Sequence, residues 1–127
     1  MLRKIAKLVF NLVPFKKFIF LFIKSIHVPS QKIYQHLVFK GPFKVFSGTN
    51  SFRIYNTATI IENQLFWKGL DGFEPESLKL WAKLSKNANT ILDIGANSGI
   101  YTLIAKSENP TSKVFAFECV DRVFEVL

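Results

Sequence analysis

Near the start of the chain, Leu2, Ile5, Leu8, Val9 and Leu12 recur at helical spacing while Arg3, Lys4 and Lys7 fall off that stripe. The pattern predicts a basic amphipathic helix. Pro14 should end or kink it. A second helical stretch from Phe15 to Val28 carries the apolar run Phe18 to Ile23, bounded by Lys16, Lys17 and Lys24. Six apolar residues are too few for a bilayer core, which takes about 20. The split by Pro14 and the lysine pair, with no small-residue cleavage site after it, also argues against a secretory signal.

From Leu37 the period shortens. Leu37 to Phe39 and Phe43 to Phe46 flank Gly41-Pro42, and a second turn signal, Ser47 to Asn50, precedes Phe52 to Tyr55. These predict a short antiparallel meander, with Thr59 to Ile61 as a further strand. Leu65, Phe66 and Trp67 are expected in the core. Glu74, Pro75, Glu76 and Ser77 place acids and a proline in the first turn of a helix, and Leu78, Trp81, Ala82 and Leu84 are its expected buried stripe. Asn87 to Asn89 end it. Thr90 to Ile94 is a short, nearly all-apolar run that predicts a parallel strand buried on both faces.

That strand runs into Gly95-Ala96-Asn97-Ser98-Gly99. Glycines there allow a sharp strand-to-helix turn, with the amides at the following helix N-terminus expected to face a ligand. A helix from Ile100 to about Ser107 follows, with Ile100, Leu103 and Ile104 inward, and Asn109-Pro110 stops it. Lys113 to Phe117 makes a second buried strand ending at Glu118. Thr90 to Glu118 has the length of a βαβ unit. An acid at this point suits ribose hydroxyls, and its spacing from Gly99 is that of a nucleoside-binding unit; the competing role is a solvated strand end. The dinucleotide fingerprint is incomplete, because Asn97 and Ile100 stand where its second and third glycines belong. The reading of a nicotinamide cofactor is weakened accordingly.

Charge and composition add to this picture. The 127 residues carry a net charge of +8 and are 49% hydrophobic with 14 Phe, which excludes an intrinsically disordered chain. All of the first ten basic residues precede Glu62, the first acid. Residues 1–36 are read as a basic helical segment with three competing roles. Its lysines are simply the solvated face of packed helices, or it lies on an anionic membrane surface, or it holds nucleic acid, the least favoured because no binding motif accompanies it. Residues 37–68 are the meander, and 69–127 begin a nucleotide-type domain. Cys119 is the sole cysteine, and with His27 and His36 it makes no metal site.

The run Asp93-Ile94-Gly95-Ala96-Asn97-Ser98-Gly99-Ile100-Tyr101-Thr102, with Phe115-Ala116-Phe117-Glu118 after it and Gly72-Phe73-Glu74-Pro75-Glu76 before it, strongly resembles the FkbM-type family of S-adenosylmethionine-dependent methyltransferases. The resemblance covers about the last half of the chain. It implies an α/β fold, the amino-terminal part of a class I, Rossmann-like methyltransferase domain. Gly95, Ala96, Asn97 and Gly99 would form the turn beneath the methionine part and ribose of S-adenosyl-L-methionine, Asp93 would face its ammonium, and Glu118 would hold the ribose hydroxyls. Tyr101 and Thr102 match the motif, in packing roles. Glu74 matches an upstream acid that closes the pocket, or else serves as helix-terminal charge.

The implied reaction is O-methylation of a sugar, glycan or secondary-metabolite hydroxyl, with a small-molecule or glycan acceptor and no metal. No catalytic base for the acceptor emerges. The protein is expected in the cytoplasm, with residues 1–36 at the membrane periphery. Two departures stand out: Cys119 follows Glu118 where the family has proline, and the chain stops at Leu127, before the later strands of the family's sheet. The expectation is therefore a truncated, inactive fragment with uncovered apolar faces. The alternative from another class is a non-enzymatic membrane-surface or interaction protein acting through its basic half.

Overall fold

A computed structural model describes residues 15–125. The stripe from Leu2 to Leu12 and Pro14 lie outside the described residues. The chain divides into two compact units, Met1–Phe39 and Lys40–Leu127.

In the first unit, α1 (Lys16–Ile26) and α2 (Gln31–Tyr34) are joined across Pro29. Among its described residues Phe20, Tyr34 and Phe39 are the buried aromatics, and Phe20 meets Phe39 edge-on at 6.4 Å between ring centroids. Among the described residues no helix is long and apolar enough to cross a membrane.

The second unit is mixed α/β, with one antiparallel and one parallel pair of strands. Strands β1 (Gly41–Ser47) and β2 (Asn50–Asn56) form a hairpin across Gly48, whose φ of +57° is the left-handed backbone that the tight turn requires. Alternation is strict. Phe43, Val45, Phe52 and Ile54 are buried, while Lys44, Phe46, Arg53 and Tyr55 face out. Cross-strand pairs Phe43–Ile54 and Val45–Phe52 fix the register, since a one-residue slip would expose the whole apolar set.

Of the meander expected over residues 37–68, these two strands form and no others. Leu37 to Phe39 is not a strand, and Thr59 to Ile61, expected as one, begins helix α3 (Ile60–Lys68). The reason is a reciprocal cap: the Thr59 side chain receives the Glu62 amide while the Glu62 carboxylate receives the Thr59 amide. Helix α3 supplies the core. Leu65, Phe66 and Trp67 are all at most 1% exposed, and Phe66 stands edge-on to Phe43 at 5.6 Å and to Trp67 at 5.2 Å.

A 3₁₀ turn (Gly69–Gly72) leads to α4 (Pro75–Ser85). A Cβ at Gly72 would collide with the Gln64 carbonyl, so this position requires glycine for space. On α4, Leu78 is buried and Trp81 and Ala82 half-buried, but Leu84 is exposed, contrary to the expected stripe. Leu84 lies off the face that carries Leu78, Trp81 and Ala82.

Strands β3 (Thr90–Ile94) and β4 (Lys113–Phe117) pair in parallel around α5 (Ile100–Glu108), and a short α6 (Asp121–Phe124) follows. This βαβ unit matches the expected elements closely. The expectation of strands buried on both faces is corrected: Ile91 and Asp93 are buried, yet Leu92, Ile94, Phe115 and Phe117 are exposed. Among the described residues helices cover only one side of this pair.

Helix α5 links the parts. It packs on both sheets and on α4. At its end, Glu108 accepts hydrogen bonds from Ser47 Oγ (2.5 Å) and Asn50 Nδ2 (3.1 Å), tying the hairpin to the helix, with Lys86 3.8 Å away. Asn109 then closes the end of α4, donating from Nδ2 to the carbonyls of Ser85, Lys86 and Ala88 at 3.0–3.3 Å.

Candidate functional site

The carboxyl ends of β3 and β4 lie side by side, because Ile94 pairs with Phe117. The turn from Gly95 to Gly99 therefore emerges next to Glu118. Three of its residues have left-handed backbone: Gly95 (φ +83°), Asn97 (φ +48°) and Gly99 (φ +74°). Glycine adopts it freely, and asparagine tolerates it better than most residues.

The turn is closed by its own amides. Those of Gly95 and Ala96 both donate to the Phe117 carbonyl (2.8 and 2.9 Å), that of Gly99 to Ala96 (2.8 Å), and that of Asn97 to Glu118 Oε2 (2.9 Å). These four amides are thus committed within the unit, while the expectation of ligand-facing amides concerned the N-terminus of α5 that follows. A chain that reverses so tightly must satisfy its donors internally.

Glu118 is held at both oxygens, since Oε1 also accepts from the Val120 amide at 2.9 Å. These bonds, Val120 first and Asn97 next, hold its carboxyl below the usual glutamate range. It is an ionised, oriented acceptor whose oxygens retain further lone pairs. Cys119, where the resembled family has proline, is exposed.

Asp93 is buried on β3 and receives Thr102 Oγ at 2.6 Å. Thr102 thus orients a site carboxylate, a role that the sequence reading had not given it. Glu74 sits at the N-cap of α4 with φ +39° and receives the Tyr101 hydroxyl at 2.8 Å. Tyr101 is also edge-on to Trp81 at 5.4 Å, and Trp81 Nε1 donates to the Tyr101 carbonyl at 2.8 Å. Burial and the neighbouring Glu74 push the Tyr101 hydroxyl up in pKa. So Asp93, Gly95, Ala96, Asn97, Gly99 and Glu118 gather about the β3–α5 turn. Glu74 reaches the same helix through Tyr101.

A cavity of about 510 Å³ borders the turn. Asn97 and Ser98 line it on one side, Arg53, Ile54 and Tyr55 of β2 on another, and Arg122 on α6 also faces it. The sequence reading missed this cavity, because its walls come from three separated segments. The signal that was present is the outward register of Arg53 on an alternating strand. Glu62 also lines it, buried at the cap of α3, where desolvation raises its pKa against hydrogen bonds from Thr59 and Thr57.

Among the described residues no cluster of His, Cys, Asp or Glu could hold a metal ion. No protein family, curated protein or solved structure matches the chain.

Proposed function

We propose that residues 69–127 are the start of the Rossmann-like cofactor-binding domain of an S-adenosylmethionine-dependent O-methyltransferase of the FkbM type. One observation carries this reading. The acid ending β4 is tied to the glycine turn ending β3, through the Asn97 amide and Glu118 Oε2, so both halves of a nucleoside site meet in one place.

The residues suit this ligand. Glu118 is ionised and able to accept from a pair of ribose hydroxyls. Asp93 offers a carboxylate, steadied by Thr102, to an ammonium group. When bound, the sulfonium supplies an electrophilic methyl group, and the protein's own contribution is alignment. Gly95 to Gly99 set the contour beneath the cofactor, and Tyr101 with Glu74 fixes the α4 end beside it. A small-molecule or glycan hydroxyl is the acceptor.

Calorimetric titration of S-adenosylhomocysteine into the chain tests this, with Glu118→Ala alongside. Saturable binding lost in the variant supports the reading. Equal binding by both forms, or none by either, removes it.

A second reading rests on α1, where Phe18, Phe22 and Ile26 are exposed on a helix that also carries three lysines. Such a helix adsorbs to anionic lipid. Adsorption to anionic vesicles that weakens with salt supports it, and equal adsorption to neutral vesicles removes it.

A further inference from the structure

We propose that the cavity beside the glycine turn binds a small ring-bearing molecule with one anionic group, a carboxylate or phosphate, held by Arg53 and Arg122. Calling that molecule the methyl acceptor rests on the methyltransferase reading; the anion site itself does not.

Charge is the first argument. Arg53 and Arg122 approach the cavity from different elements, β2 and α6. Among the described residues neither is ion-paired: the salt bridges there belong to Lys79 and Lys86. Two unpaired guanidiniums on one concavity favour an anion, and their planar forks match a carboxylate or phosphate. The acid in the same wall does not cancel them. Glu62 is one carboxylate against two guanidiniums, and the Thr59 amide (3.1 Å) with the hydroxyls of Thr57 and Thr59 holds it at the α3 cap.

Polarity and size complete the argument. Hydrogen-bonding residues stand in the same wall, namely Thr57, Thr59, Asn97 and Ser98. They can fix the orientation of a polar substituent on the ligand. Ile54, Leu103 and Val123 supply apolar wall. A volume of about 510 Å³ exceeds what a bare anion needs and falls in the range of small-ligand sites. An anionic group at the arginines with a ring against the apolar wall matches both the charged and the apolar parts of the lining.

The test is a chemical-shift titration of the isotopically labelled full chain with phenyl phosphate, with phenol as the neutral control. Saturable shifts are expected at Asn97, Ser98 and Leu103 and at the Arg53 Nε–H, with phenol binding at least about tenfold more weakly. Arg53→Gln combined with Arg122→Gln should weaken phenyl phosphate by at least about tenfold while amide dispersion stays native. Absence of saturable shifts at these residues, equal binding of phenol, or unchanged affinity in the double variant overturns the proposal. S-adenosylhomocysteine, titrated separately, keeps the two readings apart. If it binds while phenyl phosphate does not, the anion site fails and the cofactor site stands. If phenyl phosphate binds and it does not, the anion site stands and its role as acceptor site fails.

Discussion

The hairpin and the parallel pair are both two-stranded, yet they bury their side chains differently. In the hairpin, alternation puts Phe43, Val45, Phe52 and Ile54 against α3 and leaves a largely polar outer row. The parallel pair is apolar on both faces, and only the face with Ile91 and Asp93 is covered among the described residues. An antiparallel pair needs one packing layer, whereas a parallel sheet of this composition is built for two. Within this unit the hairpin is therefore a finished surface. The outward row of Leu92, Ile94, Phe115 and Phe117 remains solvent-facing.

Breaking the finished side should cost most. Phe66→Ala removes a fully buried ring that contacts both Phe43 and Trp67, and should destabilise the fold by about 3–5 kcal/mol in denaturant unfolding. Glu108→Ala leaves Ser47 and Asn50 without their acceptor at the junction of hairpin and α5, at about 1–3 kcal/mol.

A smaller effect concerns Glu62, whose folded-state pKa is raised by burial. Its stabilising contribution is present below the ordinary glutamate value of about 4.3 and is lost as pH rises from there through the raised folded value. Glu62→Gln, which preserves an acceptor at the cap, should flatten that fall in stability against pH. Unfolding midpoints across the acid range check it.

The smallest change in stability is expected on the open face. Phe117→Ser should alter unfolding by about 0.5 kcal/mol or less, because the ring is already half in water. Sedimentation of the same variant at rising concentration should show less self-association than the unmodified chain, since exposed apolar patches drive it. A loss of several kcal/mol instead would mean that this ring is covered in solution.

The βαβ unit was the most legible part of the sequence. Its strands appear where the apolar runs of Thr90 to Ile94 and Lys113 to Phe117 place them, and glycine punctuation marks the turn between strand and helix. The segment from Thr59 to Ile61 misled because two isoleucines after a threonine favour extended backbone. The capping signal Thr59-x-x-Glu62 outweighed that preference, and three local hydrogen bonds decided for helix. Leu84 misled because helical spacing identifies a face but not its width. At the site, Gly95, Gly99 and Glu118 could be found from spacing along one chain segment. The Thr102–Asp93 and Tyr101–Glu74 bonds depend on how helices rotate against the sheet, and the arginine-lined cavity depends on tertiary assembly alone.

The double acceptance by the Phe117 carbonyl has a kinetic consequence. With Gly95 and Ala96 both anchored to β4, the turn is ordered as part of the sheet and carries little freedom for a ligand to quench. A molecule docking there meets a preformed surface, so encounter is not gated by loop folding. Amide exchange at these two positions should then follow opening of the β3–β4 pair itself, and the speed of association should be set by diffusion and charge.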